Sequence, residues 1–264
     1  MNNLHRELAP ISDKAWAQIE EEASRTLKCY LAARRVIDVS EPKGFEFPGV
    51  GTGHSHQIKS LENGVQANQR EFKASVELRV PFELQRQAVD DVERGSLDSD
   101  WSPLKEAAQK IAFAEDRAVF DGYPDAGIEG IRQGSSNTSV TLPSDIKAIP
   151  DAIEKALNQL RLAGVNGPYS LILDTSKYAA ISGGSDDGYP VLQHIQRLVD
   201  GNVVYAPAIE GGLLLTSRGG DFTLDLGQDI SIGYLGHGKT SIELYLQETF
   251  SFRILTAEAA VSLT

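Results

Sequence analysis

The sequence of 264 residues contains very little cysteine and no long apolar run. Its single cysteine, Cys29, excludes an internal disulfide bond and is typical of a reducing compartment. No apolar stretch approaches the roughly 18 residues that a transmembrane helix needs, so we expect no membrane partner. The opening residues, MNNLHRELAPIS, lack a basic segment followed by an apolar core, and therefore predict no secretory signal. We expect a cytoplasmic protein.

Positive charge is also scarce. The chain has 25 Lys and Arg against 37 Asp and Glu, which gives a formal net charge of −12. Nucleic-acid binding requires clustered Lys and Arg, so we expect no nucleic-acid partner. A hydrophobic content of 41% and a charged content of 23% are ordinary for a globular protein, and the length suffices for one large domain or two small ones.

The usual catalytic and metal-binding motifs are missing. There is no G-x-S-x-G, H-E-x-x-H or C-x-x-C. His54 and His56 form an H-x-H pair in a glycine-rich loop, but no Cys or further His lies nearby. The acidic segment around 90–100 lacks the D-x-[DN]-x-[DN]-G pattern of a calcium loop. We expect no metal, no cofactor and no catalytic residues, which means that the chain is not an enzyme.

One segment matches a nucleotide-binding motif by its letters. Gly233–Thr240 fits G-x-x-x-x-G-K-[ST], but a true phosphate loop runs directly into a helix. Here the following residues, SIELYLQETFSF, alternate in polarity at every second position, as in a strand. We therefore predict a turn between two antiparallel strands. A nucleotide hydrolase that uses Lys239 is the alternative.

The segment from Trp101 to Tyr123 predicts the helix on which the chain is organised. Ser102 is a good N-cap, Pro103 suits the first turn and Gly122 ends the helix. One face of this helix carries mostly small and apolar residues. The residues that recur there at three- and four-residue steps are Leu104, Ala108, Ile111, Glu115, Ala118 and Val119. Small side chains let other elements approach closely, so we interpret this helix as a spine, although an ordinary amphipathic helix explains the pattern equally well.

Before the spine, the pattern predicts a helix, a strand and a ribbon. Ser12 caps a helix that runs to about Ala33, and residues 1–11 form an arm that packs on a neighbour or is loose. Residues 34–39 resemble a short strand. Residues 57–84 predict a two-stranded ribbon with Asn63-Gly64 at its turn, VELRVPFEL as its returning strand and Pro81 at an edge. The polar outer half cannot be stable alone, so we expect it to lie on another subunit.

After the spine, helices are predicted at 150–163, 175–181 and 191–199. Strands are predicted at 169–173, 202–205, 212–217, 221–226, 229–234 and 241–255. Strand-rich ends around helical segments predict an α+β fold.

Several segments together resemble the encapsulin family, the shell proteins of bacterial nanocompartments. The likeness runs in order from one end of the chain to the other and is greatest to the linocin-like members. The segments are MNNLHRELAPISDKAW, RVIDV, DDVERGSLDSDW, AEDRAVFDG, IEGI, GPY, DGYP, SRGGDFTLDLGQDISIGY and LYLQETFSF.

The resemblance implies the tailed-phage major-capsid fold. Residues 1–134 would comprise the N-terminal arm and helix, an extended loop at about 45–75 and the spine of the peripheral domain. Residues 135–225 would form the axial domain, and the C-terminal strands at 226–264 would return to the peripheral domain.

The resemblance also implies a function. The chain would assemble into a closed icosahedral homo-oligomer that encloses a cargo enzyme bound through its C-terminal targeting peptide. A dye-decolorising peroxidase is the first expected cargo and a ferritin-like protein the second, in oxidative-stress or iron handling. A phage or prophage major capsid protein is the alternative, followed by a nucleotide-binding enzyme or a bacteriocin-like peptidase. Some relatives hold a flavin against a tryptophan whose position here is Gln87, so we expect no flavin.

The resemblance places two sites. The cargo peptide would bind residues that supply apolar pockets, with Arg34 and Asp38 setting its register, unless these residues are simply core. They are Leu27, Tyr30, Leu31, Arg34, Asp38, Ile230, Ile232 and Tyr234. A loop would line the fivefold pore, where a ring of aspartates favours cations. It consists of Gly183, Gly184, Ser185, Asp186, Asp187, Gly188 and Tyr189.

Overall fold

The computed structural model describes residues 3–186 and 189–264. Up to and including the spine helix, the described chain forms two long helices, one short helix and four consecutive strands, besides 3₁₀ turns. They are α1 (Asp13–Tyr30), β1 (Asp38–Val39), β2 (Gly49–Ile58), β3 (Ala67–Ala74), β4 (Val76–Gln85), α2 (Arg86–Glu93) and α3 (Ser102–Phe120).

The rest of the chain adds short helices and a series of strands. They are α4 (Ile131–Gly134), α5 (Ile149–Leu162), β5 (Tyr169–Leu173), α6 (Thr175–Gly183), β6 (Ser185–Asp186), β7 (Tyr189–Pro190), α7 (Val191–Val199), β8 (Val203–Tyr205), β9 (Gly212–Thr216), β10 (Phe222–Leu226), β11 (Ser231–His237), β12 (Ser241–Ile254) and β13 (Ala260–Leu263). No helix in the described part of the chain is long and apolar enough to cross a membrane.

The first sheet is built around the long strand β12. Strand β12 pairs with β11 along residues 242–247 and with β10 along residues 250–254. Strand β4 pairs with β12 along residues 241–250, and β1 pairs with β10. Helix α3 packs against α1, β4 and β12. Its buried Ala107, Ala108 and Ala112 leave room for this close approach, as the spine interpretation requires.

The second sheet has the strand order β13, β9, β5, β8. Strands β5 and β9 are buried along their whole length, because helices α5, α6 and α7 cover the sheet. Strand β13, at the C-terminal end, pairs with β9 in this sheet. The domain prediction has the C-terminal strands at 226–264 return to the peripheral domain. The domain boundaries stay a prediction.

The ends of the spine helix agree with the predicted bounds, but the cap differs. The predicted cap, Ser102, is the first helical residue, and its N–H donates to the Asp100 carboxylate at 3.0 Å. Asp100 takes this role because its side chain reaches an N–H two residues ahead. Gly122 ends the helix as predicted, at a φ of +94° that favours glycine.

The predicted strand at 34–39 is wrong over most of its length. A 3₁₀ turn spans Ala33–Arg35, and only Asp38–Val39 is a strand, paired in parallel with β10. The buried Asp116 carboxylate accepts the N–H groups of Ala32 and Ala33, at 3.0 and 2.9 Å, and holds the chain in this turn.

The predicted arm packs on its own chain. Leu4 is buried, and its carbonyl accepts the N–H of Tyr234 at 2.8 Å. Arg6 pairs with Glu20 at 2.6 Å and lies over the Trp16 ring.

The ribbon consists of β2 and β3, not of the two segments that the sequence predicts. Strand β3 returns from the turn, while VELRVPFEL lies in β4 and pairs with β12, because its alternate residues pack against the spine helix. Asn63-Gly64 is the centre of the turn, where Val65 N–H donates to Glu62 O at 3.3 Å. Both strands of the ribbon are largely exposed, and Leu61 beside the turn is 99% exposed.

The segment that matches the nucleotide-binding motif contains a turn between antiparallel strands, as predicted, although its first five residues are the end of β11. Residues 238–240 join β11 to β12, and Gly238 N–H donates to Ser241 O at 2.9 Å.

Two glycines of this segment, both in β11, make its packing against β12 testable. A Cβ on Gly233 would lie 2.1 Å from the Tyr245 ring, which is held between the Arg79 guanidinium and the carbonyl of Asn3. We expect Gly233→Ala to destabilise the protein by about 1–3 kcal/mol. Gly236→Ala is the matched control, since nothing lies within 4 Å of its Cβ position.

Melting temperatures of the two variants measure this difference. The packing account is contradicted if Gly233→Ala melts with the parent, or if Gly236→Ala loses as much as Gly233→Ala.

Candidate functional site

A groove of about 470 Å³ runs between helix α1 and strand β11. Its apolar lining consists of Leu4, Ala23, Leu27, Leu31, Ile230, Ile232 and Leu246. Its charged lining consists of Arg6, Glu20, Lys28, Arg34 and Asp229.

One face of α1 forms the first wall. The lining positions 20, 23, 24, 27, 28 and 31 follow the three- and four-residue steps of a single helix face. Since a helix rises about 1.5 Å per residue, the wall is about 16 Å long. Ser12 fixes where this helix begins, because its hydroxyl accepts the N–H of Ala15 at 3.2 Å.

Strand β11 and its approach form the second wall. Ile230 and Ile232 contribute the apolar surface, and Leu246 of β12 lies opposite Ile232 in the sheet. Ile232 lies on β11, and Ile230 lies at the bend just before the strand begins. The arm closes one end of the groove, where Leu4 meets β11 and Arg6 meets α1.

The structure brings five of the eight predicted peptide-binding residues together in this groove. They are Leu27, Leu31, Arg34, Ile230 and Ile232. That they bind a peptide stays a prediction.

The other three predicted residues lie elsewhere. Tyr30 packs edge-on against Phe113, with ring centroids 5.5 Å apart. Asp38 accepts the N–H of Gly220 at 2.6 Å, in a different pocket. Tyr234 lies beyond the groove lining, and its hydroxyl is hydrogen-bonded to His237.

Arg34 is the centre of a buried ionic cluster. Its Nη1 donates to Asp229 at 2.7 Å, and its Nη2 donates to Glu115 at 2.5 Å and to Glu248 at 3.2 Å. The side chains of Glu115 and Glu248 are 0% exposed, whereas Asp229 is 47% exposed at the groove. All three guanidinium nitrogens have acceptors, so Arg34 is committed to the protein itself.

The cluster shifts the pKa values of its members. Burial alone would lower the pKa of Arg34, but Glu115, Glu248 and Asp229 together raise it above its usual range. Burial, followed by the nearby Glu115, raises the pKa of Glu248 well above its ordinary value. Burial and the neighbouring carboxyl groups disfavour the charged form of Glu248, whereas Arg34 favours it.

Asp116 holds the chain where α1 ends. It is 0% exposed and accepts the two N–H groups of Ala32 and Ala33. Burial raises the pKa of Asp116 to about 7, although these two hydrogen bonds oppose the rise. The segment that it holds carries Leu31 and Arg34, so Asp116 positions one end of the groove without lining it.

Sequence reasoning missed the buried acids and the contribution of the arm. Glu115 belongs to the otherwise small and apolar stripe of the spine helix, and a carboxylate at a core position signals a buried partner. No comparable signal marks Glu248, Asp229 or Leu4.

The groove has the chemistry of a binding site. Its walls are apolar, and most of its charges are already paired within the protein, which suits a short apolar peptide segment. No group of three or more His, Cys, Asp or Glu in the described part of the chain is placed to hold a metal ion.

The predicted pore loop forms a small two-stranded hairpin, β6 with β7. Asp187 and Gly188 lie outside the described residues. Tyr189 is 37% exposed and contacts the Arg197 guanidinium, 5.4 Å from its ring centroid.

Comparison with known families and proteins gives a consistent match over the chain. The model of the Linocin_M18 family, described as "Encapsulating protein for peroxidase", matches residues 1–251. The type 1 encapsulin shell proteins of Rhodococcus erythropolis and Mycobacterium tuberculosis are 56% and 55% identical, each with 100% of both chains covered. That of Rhodospirillum rubrum is 44% identical, covering 100% of this chain and 96% of the relative.

Solved structures confirm the capsid fold that the resemblance implies. The virus-like particle of Pyrococcus furiosus aligns with a TM-score of 0.66 at 18% identity, covering 94% of this chain and 99% of that one. The capsid of Myoviridae phage XM1 aligns with a TM-score of 0.55 at 9% identity, covering 87% and 89%. At these identities the likeness concerns the fold alone.

The buried Asp116 makes stability depend on pH. Its folded pKa of about 7 exceeds the value of about 3.9 for an unfolded chain, so its contribution is fully present below about pH 4 and is lost as the pH rises through 7. Above pH 7 the ionised group costs on the order of 4 kcal/mol. We expect Asp116→Asn to remove this fall in stability between about pH 5 and pH 8. It should also lower the melting temperature at every pH, because its amide NH2 cannot accept one of the two N–H groups that the carboxyl oxygens accept.

Calorimetry at several pH values tests this expectation, with the exposed Asp125→Asn as control. A pH dependence that is the same in Asp116→Asn and in the parent would contradict it.

Proposed function

The chain belongs to the encapsulin family of shell proteins, and from this premise we propose that it assembles into a closed icosahedral shell around a cargo enzyme. The relatives are named shell proteins, so the chain is a structural protein rather than an enzyme. A closed symmetric assembly repeats one set of interfaces and leaves no edge unsatisfied.

The exposed ribbon is the observation that carries the assembly proposal. Strands β2 and β3 extend as a pair with little apolar surface against their own chain, and an isolated two-stranded ribbon is marginal in water. A neighbouring copy of the chain supplies the missing contacts. The ribbon is then an extended loop that lies over that neighbour.

The groove between α1 and β11 is the proposed cargo dock. Its apolar walls take the anchoring side chains of a C-terminal targeting peptide, and the Arg34 cluster holds the two walls in register. The register role that the sequence analysis assigns to Arg34 and Asp38 changes accordingly, because Arg34 is saturated by the protein's own carboxylates and Asp38 lies in another pocket. Peptide register is then set by the pockets themselves.

A dye-decolorising peroxidase is the first proposed cargo. The description of the matching family, which names a peroxidase, supports this choice. A ferritin-like protein is the second candidate. Either cargo assigns the compartment to oxidative-stress or iron handling.

A phage or prophage capsid protein is the remaining alternative of the same fold. The high identity to encapsulin shell proteins over the whole chain favours the compartment, since the phage capsids share only the fold. The assignment of Gly183–Tyr189 to a fivefold pore stays a prediction.

The cargo proposal is tested by what the particles contain. Particles purified from the source cells are treated with protease to remove adhering proteins, and the protected contents are identified by mass spectrometry. We expect one dominant enzyme, and we expect removal of its C-terminal residues to leave the particles empty.

A pair of leucine variants tests the groove as the dock. Leu27→Glu places a charge on the apolar wall of the groove, whereas Leu162→Glu changes a leucine that is 90% exposed on α5. Leu27→Glu particles should keep their size and lose at least about tenfold in cargo per particle, and Leu162→Glu particles should stay full. Full Leu27→Glu particles would contradict the dock.

A further inference from the structure

The chain contains two Asn-Gly dipeptides, Asn63-Gly64 and Asn166-Gly167. Asparagine is a chemically labile residue, and a following glycine leaves the next backbone nitrogen unshielded because it has no Cβ. That nitrogen can attack the side-chain carbonyl carbon of the asparagine when the local backbone rotates to bring the two atoms together. The hydrogen bonds around each dipeptide therefore decide its reactivity.

Asn63-Gly64 lies at the turn of the ribbon with little to hold it. Both residues are exposed, and the described chain offers no hydrogen-bond partner to the Gly64 N–H or to the Asn63 side chain. The contacts across the turn join only its flanks: Val65 N–H donates to Glu62 O at 3.3 Å, and the Ser60 hydroxyl donates to Val65 O. Nothing lies within 4 Å of a Cβ position on Gly64, so the backbone has room to rotate.

Asn166-Gly167 is also exposed, but its backbone is held. The Asn166 carbonyl accepts the Thr216 hydroxyl at 2.7 Å, and the preceding carbonyl, of Val165, accepts the Tyr169 hydroxyl at 2.7 Å. Rotation of this loop requires these hydrogen bonds to break first. The same dipeptide therefore occurs once in a free turn and once in a restrained loop.

The free turn is flanked by apolar side chains that a neighbouring copy would cover. Leu61 and Val65 are both exposed, one on each side of Asn63-Gly64. The proposed function has the ribbon lie over another copy of the chain, and the present inference rests on it. Burial of the two apolar side chains would enclose the turn between them and restrain its backbone.

We propose that Asn63 is a site of self-deamidation that reacts in unassembled chains and is protected in assembled ones. The Gly64 nitrogen, having lost its proton to hydroxide, forms a bond to the Asn63 Cγ, and the Cγ–Nδ2 bond breaks. The departing nitrogen takes a proton from water and leaves as ammonia, which restores the hydroxide. Water then opens the succinimide ring: cleavage of the new N–Cγ bond gives aspartate, and cleavage of the original peptide bond gives isoaspartate.

The products change the turn on which the ribbon depends. Isoaspartate lengthens the backbone of the turn by one carbon atom, and the register of a hairpin is fixed by its turn type and loop length. The pairing of β2 with β3 beside the turn is then disturbed. Both products also place a negative charge between Leu61 and Val65. A chain that stays outside a shell would thereby lose, with time, its ability to enter one.

The experiment follows both dipeptides of the full chain in mildly alkaline buffer. Purified particles are compared with chain that is unfolded, refolded and kept too dilute to assemble, as size-exclusion chromatography verifies. Chain held in guanidinium chloride gives the reference rate of each dipeptide.

Mass spectrometry of tryptic peptides measures the reaction. Trypsin releases residues 60–70 and 162–177, and fragment ions distinguish Asn63 from Asn68 within the first peptide. An isoaspartyl methyltransferase with a labelled methyl donor counts the isoaspartate.

In the dilute folded chain we expect Asn63 to deamidate at least about tenfold faster than Asn166, because the loop at Asn166 must first open. In particles we expect the Asn63 rate to fall at least about tenfold. The aged dilute chain is then concentrated, and its loss of particle formation should match its isoaspartate content. Equally aged Asn63→Gln chain should assemble normally, since the longer side chain closes a ring slowly.

Three results would overturn the proposal. Equal rates at the two asparagines in the dilute folded chain would remove Asn63 as the reactive site. An unchanged Asn63 rate in intact particles would exclude protection by assembly, and full assembly of aged, deamidated chain would exclude the stated consequence. In each case particles exist, whereas a chain that forms none at any concentration contradicts the proposed function instead.

Discussion

The groove and the first sheet depend on one guanidinium shared among three carboxylates. Arg34 follows the end of α1, Glu115 lies on the spine helix, Glu248 on β12 and Asp229 just before β11. Ionised groups in a protein interior cost several kcal/mol each unless they are paired. The chain therefore has one arrangement in which these elements meet, and that arrangement holds both walls of the groove in place.

Some polar groups of the subunit are already paired within it, and other surfaces are left for contacts with partners. Inside the subunit, the charges of the cluster and the N–H groups at Ala32 and Ala33 have partners. The ribbon of β2 and β3, by contrast, is largely exposed beyond the pairing of its own two strands. A shell protein needs a surface of this kind toward a neighbouring copy.

Local sequence patterns predicted correctly those elements whose structure depends mainly on their own residues. Gly122 ends the spine helix, the apolar run at 169–173 is a buried strand, and Gly233–Thr240 leads into a turn before an alternating strand rather than into a helix. Predictions failed where the deciding partner is distant. The turn at Ala33–Arg35 depends on Asp116, and VELRVPFEL lies beside β12 rather than in the ribbon. The groove was predicted in part: four of its apolar lining residues were among the predicted site residues, but the acids that bind Arg34 were not.

The measurement that tests this account most directly is size-exclusion chromatography of the purified full chain, with negative-stain electron microscopy of the leading peak. The account predicts hollow, uniform, roughly spherical particles. A monomer or dimer under gentle conditions would contradict it, because the exposed ribbon would then have no neighbour to lie on.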